Sequence, residues 1–229
     1  MRQRLLVPLL FGVLGTGMLV GLGVWQVQRM VWKHGVLAEI DARIHEAPAA
    51  LPEAPEPATD RYRAVSATGV LGGPEIHVLV STKELGAGYR VIQPFNTDGR
   101  RIMADRGFID LADKDAARPG GTVTLTGNLH WPDEVDSYTP DPDEERGIWF
   151  ARDVPALAAR LGTDPVLLIV RDAAPKRSGD PIPLPLDSAT IPDDHLEYAI
   201  TWFSLAVVWA GMTLYLVRRR MRPEKGDTT

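Results

Sequence analysis

Residues 192–203, PDDHLEYAITWF, set three carboxylate residues and one histidine against the start of a long apolar run. His195 is the group there with metal chemistry to offer, because neutral imidazole is a common ligand for transition metals. Steps of three and four residues bring His195, Tyr198, Trp202, Ala206 and Trp209 onto one face of a helix. An imidazole above broad aromatic plates suits a flat, amphipathic ligand, and haem iron is often held by neutral imidazole. A plainer reading makes His195 a polar interfacial residue, with Tyr198 and Trp202 in the aromatic belt of a membrane helix. Pro192 ends whatever precedes, Asp193 or Asp194 is suited to cap the helix, and Glu197 stands three after Asp194 as in a capping box.

The elements that must position this histidine are membrane helices. Residues 5–24 and 198–217 carry no charge and are each long enough, at about 20 residues, to cross about 30 Å of hydrocarbon. A cleaved signal peptide is the other reading of the first, but its apolar run exceeds the usual ~7–15 residues of such a segment. Basic residues flank the two spans unequally. Arg2, Arg4, Arg218, Arg219, Arg220, Arg222 and Lys225 lie on one side, and Arg29, Lys33 and Arg43 on the other. The excess of cationic side chains marks the cytoplasmic side, so both termini are expected there. Gly17 and Gly21 form G-x-x-x-G, and Ala206 and Ala210 a matching small pair. Such motifs let helices approach closely and serve an intramolecular pair or a homo-oligomer. An intramolecular pair would bring Trp25, Arg29 and Lys33 near His195, where the two cations could receive carboxylates of a bound ligand.

With the +2 of residues 1–4 and the +3 of the tail set aside from the net −5, residues 5–217 carry −10, which leaves no basic surface for nucleic acid. The absence of cysteine excludes disulfides, thiolate metal sites and covalent haem attachment. The expected fold is membrane α+β, with two transmembrane helices flanking a strand-rich mixed α/β outer domain, a small antiparallel sheet or partly closed barrel. Its organisation reads as 1–25, an N-terminal transmembrane helix, then 26–60, an amphipathic helix jointed near Gly35 and a proline-rich linker. Residues 61–191 follow as a periplasmic strand-rich domain, 192–217 as a transmembrane helix with an interfacial start, and 218–229 as a basic cytoplasmic tail.

Strands are expected at 62–70, 75–80, 89–95, 101–109, 122–130 and 166–171, and a capped helix at 153–161. The stretch 122–130 is clearest, because Val123, Leu125 and Leu129 alternate with polar residues. No serine sits in a nucleophile elbow, and no phosphate-binding loop occurs. The acidic run from Asp133 to Glu145 lacks the glycine and spacing of a calcium loop and reads as a solvated face. His34, His45, His77 and His130 show no ligand spacing and read as surface or packing residues. An enzyme is not favoured.

Five stretches carry a resemblance. LGVWQVQRMVWK at 22–33, RYRAVSATGV at 61–70, GYRVIQPF at 88–95, ADRGFID at 104–110 and PDDHLEYAITWFSLA at 192–206 resemble the surfeit-locus family of cytochrome c oxidase assembly factors. Phe108 stands where that pattern usually has tryptophan, and Asp194 where asparagine often precedes the histidine. The resemblance implies a two-pass protein of the bacterial inner membrane that helps to build haem-copper oxidase. Bacterial members look like haem a binding proteins, and the histidine matching His195 is the one assigned to iron. Haem a would be transient cargo, Tyr198 and Trp202 would pack its ring, and Arg29 and Lys33 would contact its propionates. The implied partners are the oxidase catalytic subunit, a haem a synthesis enzyme and the membrane. Two readings from other classes stand beside this: a scaffold that docks on oxidase subunits without cofactor, and a membrane-tethered enzyme. Arg106 is expected to brace the outer domain.

Overall fold

The structure, a computed structural model, describes residues 2–221, so Arg222 and Lys225 of the basic tail lie outside it. It comprises two compact units: a helical one, up to Glu39 and from Ala189 onward, and a central one, Ile40–Ser188. The helical unit contains most of helix α1 (Arg2–His45) and all of α4 (His195–Met221). Both are long and apolar enough to cross a membrane, with mean hydropathy reaching 2.0 and 1.7. Their apolar side chains largely face outward; Phe11 is 68% exposed and Val207 74%. Water would penalise such surfaces, whereas lipid satisfies them. At ~1.5 Å per residue, α1 is about 66 Å long and runs well beyond a single bilayer crossing. It continues through Gly35 without a break.

The central unit is a closed barrel. Its strands are β1 (Ala49–Ala50), β2 (Ala64–Leu71), β3 (Ile76–Thr82), β4 (Gly86–Thr97), β5 (Arg100–Asp110), β6 (Gly121–His130), β7 (Ile148–Trp149) and β8 (Leu167–Ala174). The order β2-β6-β8-β5-β4 returns to β2 through Val70↔Asn96 and Leu71↔Phe95, making a five-stranded ring of mixed direction. Parallel pairing of β5 with β8 is what makes it mixed. Closure requires Gly69, because a Cβ there would stand 2.2 Å from the Asn96 carbonyl oxygen. The alternation in β6 carries through: Val123, Leu125 and Leu129 are buried, and Thr122 is exposed. Phe95, Ile102, Met103, Leu125 and Leu167 belong to one hydrophobic core with Leu157 of helix α3 (Val154–Leu161). Asp153 caps α3 by accepting the Ala156 N–H at 3.2 Å.

The two-residue β1 and β7 and the one-turn α2 (Pro57–Asp60) lie in stretches read as loop or linker. Asp60 holds α2 by accepting from Glu56 N at 3.0 Å and from Arg63 at 2.8 Å. The last turn of α1 is secured within this unit. The Ile44 carbonyl, which has no helical partner, accepts from Asn128 at 3.0 Å and Arg171 at 3.1 Å.

The ADRGF stretch proves architectural. Asp105 is fully buried and accepts from Arg90 at 2.8 Å and from the Gly107 N–H at 3.1 Å. Gly107 takes φ 110, and a Cβ on it would meet the Ile182 carbonyl at 2.0 Å. Arg106, 5% exposed, donates to Gln93 at 2.9 Å and Asp180 at 2.8 Å, which is the bracing role expected of it. Part of the acidic run is tied down as well. Glu134 accepts the Arg152 N–H at 2.9 Å, and Arg152 reaches Asp105 at 3.5 Å.

His130 stacks near the Tyr62 ring, 5.2 Å between centroids. Burial, reinforced by the Arg152 and Arg61 cations, pushes its imidazole down from 6.5 to about 4. Between those values the unfolded chain takes up a proton that the folded chain refuses. Stability therefore falls as pH drops from about 6.5 towards 4, by up to about 3 kcal/mol from this residue. In His130→Phe the fall in Tm from pH 7 to pH 4.5 is expected to be visibly smaller than in wild type. An equal fall in both would clear the imidazole of responsibility.

Candidate functional site

Within the helical unit, α1 and α4 meet along a seam of small and polar residues. On α4 it runs through His195, Ala199, Trp202, Ala206, Trp209 and Thr213, all buried or half-buried, at alternating steps of four and three. On α1 it runs through Gly12, Gly15, Gly23 and Gln26. A Cβ on Gly12 would lie 2.0 Å from Thr213 Cγ2, on Gly15 2.4 Å from Trp209 Nε1, and on Gly23 2.7 Å from the Phe203 ring. These glycines admit the side chains of α4. Gly17 and Gly21 do not; both are exposed and face open space. The G-x-x-x-G pair read from the sequence is therefore not the seam. The true set is spaced by three, eight and three residues and follows the helix face rather than a short motif.

The seam also divides the face on which His195 was expected to stand. Ala206 is 4% exposed, and Trp209 packs near Phe11, 5.8 Å between ring centroids, so the lower part of that face is occupied by α1. Tyr198, 56% exposed, lies on its flank, and Trp202 is half-buried between the two situations. A flat ligand at His195 would meet Tyr198 and the edge of Trp202, but not Trp209.

Around His195 three contacts cross from α1 to the start of α4. The imidazole Nδ1 lies 2.8 Å from the carboxamide oxygen of Gln26, a residue only 8% exposed. An oxygen acceptor there requires the proton on Nδ1, so that in the neutral ring the lone pair is on Nε2. A turn or two further along α1, Lys33 Nζ donates to the Pro192 carbonyl, and His34 Nε2 stands 2.8 Å from the Asp193 carboxylate. Asp193 is thus engaged by His34 rather than capping α4. The helix starts instead from the Asp194 carbonyl, which accepts the Tyr198 N–H at 3.2 Å. Arg29 is exposed and lays its guanidinium 4.0 Å over the Trp32 ring.

Of the five residues singled out from the sequence, His195 and Lys33 take part in this junction, through Gln26 and the Pro192 carbonyl, while Trp202 lies about two turns down α4. Tyr198 borders it, and Arg29 is turned onto Trp32. Sequence reading missed Gln26 and His34. Gln26 carried a usable signal: a carboxamide directly after a charge-free apolar span needs a partner, since burying it unbonded costs about 1–3 kcal/mol.

The seam can be tested through its glycines. The chain has no cysteine, so spin labels can be introduced at chosen sites, such as Leu10 and Val208. Gly12→Val is expected to broaden and lengthen the α1–α4 distance distribution, whereas Gly17→Val leaves it unchanged. Equal responses would show that the seam does not depend on Gly12.

Similarity to known proteins agrees with this architecture. Residues 13–207 match the SURF1 family. Surfeit locus protein 1 of Rattus norvegicus is 31% identical over 208 residues, covering 81% of this chain and 67% of that protein. The SURF1-like protein of Monosiga brevicollis is 30% identical over 87% of this chain and 83% of its own length. The human Surfeit locus protein 1 is 30% identical over 81% of this chain and 69% of its own. With two apolar helices flanking a barrel, and a match spanning both helices and the barrel between them, this chain belongs to the SURF1 family, known as cytochrome c oxidase assembly factors.

Proposed function

We propose that this protein serves haem-copper oxidase assembly by holding haem a at the outer surface of a bacterial inner membrane, with both termini in the cytoplasm and the barrel in the periplasm. The observation that carries this reading is the His195–Gln26 hydrogen bond. It supports an imidazole whose Nδ1 is braced by an oxygen, the arrangement in which histidine ligands are usually held, with Nε2 the nitrogen that would bind iron. Haem a supplies an iron with an open axial position and a long apolar tail that favours lipid.

The residues present suit such a cargo. Tyr198 and Trp202 offer apolar ring surface within about 10 Å of helix below the imidazole. Lys33 uses one of its three N–H donors on Pro192 and keeps others for a propionate. Arg29, one turn nearer Gln26, offers a guanidinium already stiffened by Trp32. The engagement of Asp193 by His34 draws one carboxylate away from that side. A single axial histidine with stacking holds the ligand without the grip of two strong ligands, so release to the oxidase catalytic subunit stays within reach.

The test is purification from cells that make haem a, with the absorption spectrum recorded for wild type beside His195→Ala. Wild type is expected to carry a haem a spectrum, and the variant to lose most of it. A colourless wild type would favour a docking scaffold without cofactor, and full retention in His195→Ala would overturn the ligand assignment.

A further inference from the structure

We propose that Gln26 is the positioning residue for His195: its side-chain oxygen selects the Nδ1–H tautomer and aims Nε2 away from the seam. The proposal rests on the haem reading for its purpose, but its physical content belongs to the protein alone. Three observations support it. Gln26 is buried in the seam one turn from Gly23, where α1 and α4 approach closely, so its carboxamide has little freedom to turn elsewhere. Its oxygen meets the imidazole at 2.8 Å, a full hydrogen bond. The chain on the far side of the bond is fixed as well, because Lys33 holds the Pro192 carbonyl and His34 holds Asp193, three and two residues before His195. The imidazole is thus held at its ring and at the backbone leading into it, by residues from one face of α1.

An isolated helix could not achieve this. His195 is the first residue of α4, where a side chain has no preceding helical turn to pack on. Without an acceptor at Nδ1 the neutral ring would sample both tautomers, and in one of them Nε2 carries the proton and cannot bind a metal. The ligand is therefore complete only when α1 and α4 are paired, and Gln26 is the side chain through which pairing reaches it. Gln26 is a positioning residue, since it touches the imidazole and not the cargo.

Nitrogen-15 NMR of histidine-labelled protein without haem, in alkaline buffer, reads the tautomer directly. Wild type is expected to show His195 with a protonated Nδ1 and an unprotonated Nε2. Gln26→Ala is expected to show a mixture, and Gln26→Glu, which keeps an oxygen at the same reach, to restore the single form. Haem a affinity should fall by about 10- to 100-fold in Gln26→Ala and recover in Gln26→Glu. Gln26→Leu, which keeps the seam filled, separates positioning from packing: its tautomer should be mixed while the α1–α4 distance stays as in wild type. An unchanged tautomer in both Gln26→Ala and Gln26→Leu would overturn the proposal. A wild type with the expected tautomer but no haem binding would sink the cargo reading and leave the positioning contact standing.

Discussion

A hydrogen bond between an imidazole and a buried carboxamide on another helix exists only if the two backbones come close. Here close approach is bought by leaving out side chains, at Gly12, Gly15 and Gly23, so that Thr213, Trp209 and Phe203 can enter the space a Cβ would fill. Between membrane helices apolar burial gives little drive, since lipid is as apolar as the partner; contact area and hydrogen bonds must supply it. The seam supplies contact along its length and a hydrogen bond, a lysine–carbonyl contact and a histidine–carboxylate pair at its end. Those polar contacts gather where α4 begins, which gives the first residue of that helix a defined orientation.

The barrel meets a different constraint. Closing only five strands brings backbones within van der Waals contact of one another: a Cβ on Gly69 or Gly127 would meet a carbonyl oxygen of a neighbouring strand, and one on Gly107 would meet the Ile182 carbonyl of the segment lying beside β5. Its charged core elements are built around arginine: Arg90 and Arg152 on Asp105, and Arg106 on Asp180. Removing one partner of such a group leaves a charge stranded at low solvation, so these ion pairs hold the shape of the unit.

Much of this was legible in the amino-acid order, for reasons that differ by element. The β6 alternation and the buried β8 run follow from one-faced and two-faced burial, and Asp153 before Pro155 is a local capping signal that tertiary contacts did not override. The two spans are visible from length and charge alone. His195 stood out because a histidine beside a charge-free span is unusual. What escaped was any property that depends on which sides of two helices meet. Gly17 and Gly21 match a motif yet face outward, whereas Gly12, Gly15 and Gly23 match none and do the packing. Gln26 and His34 lie 169 and 159 residues from His195 and Asp193, so no local pattern links them. The partly closed barrel expected from the strand spacing is closed fully, through the short β2–β4 pairing of Val70 and Leu71 with Asn96 and Phe95.

On the proposed reading, one nitrogen of the His195 imidazole binds haem iron while Gln26 of α1 holds the other. A structure of the haem a-loaded protein in a lipid nanodisc tests it most directly. Iron is expected on His195 Nε2, with Nδ1 still within hydrogen-bonding distance of the Gln26 oxygen. Iron bound elsewhere, or bound to His195 with the Gln26 contact broken, would contradict it.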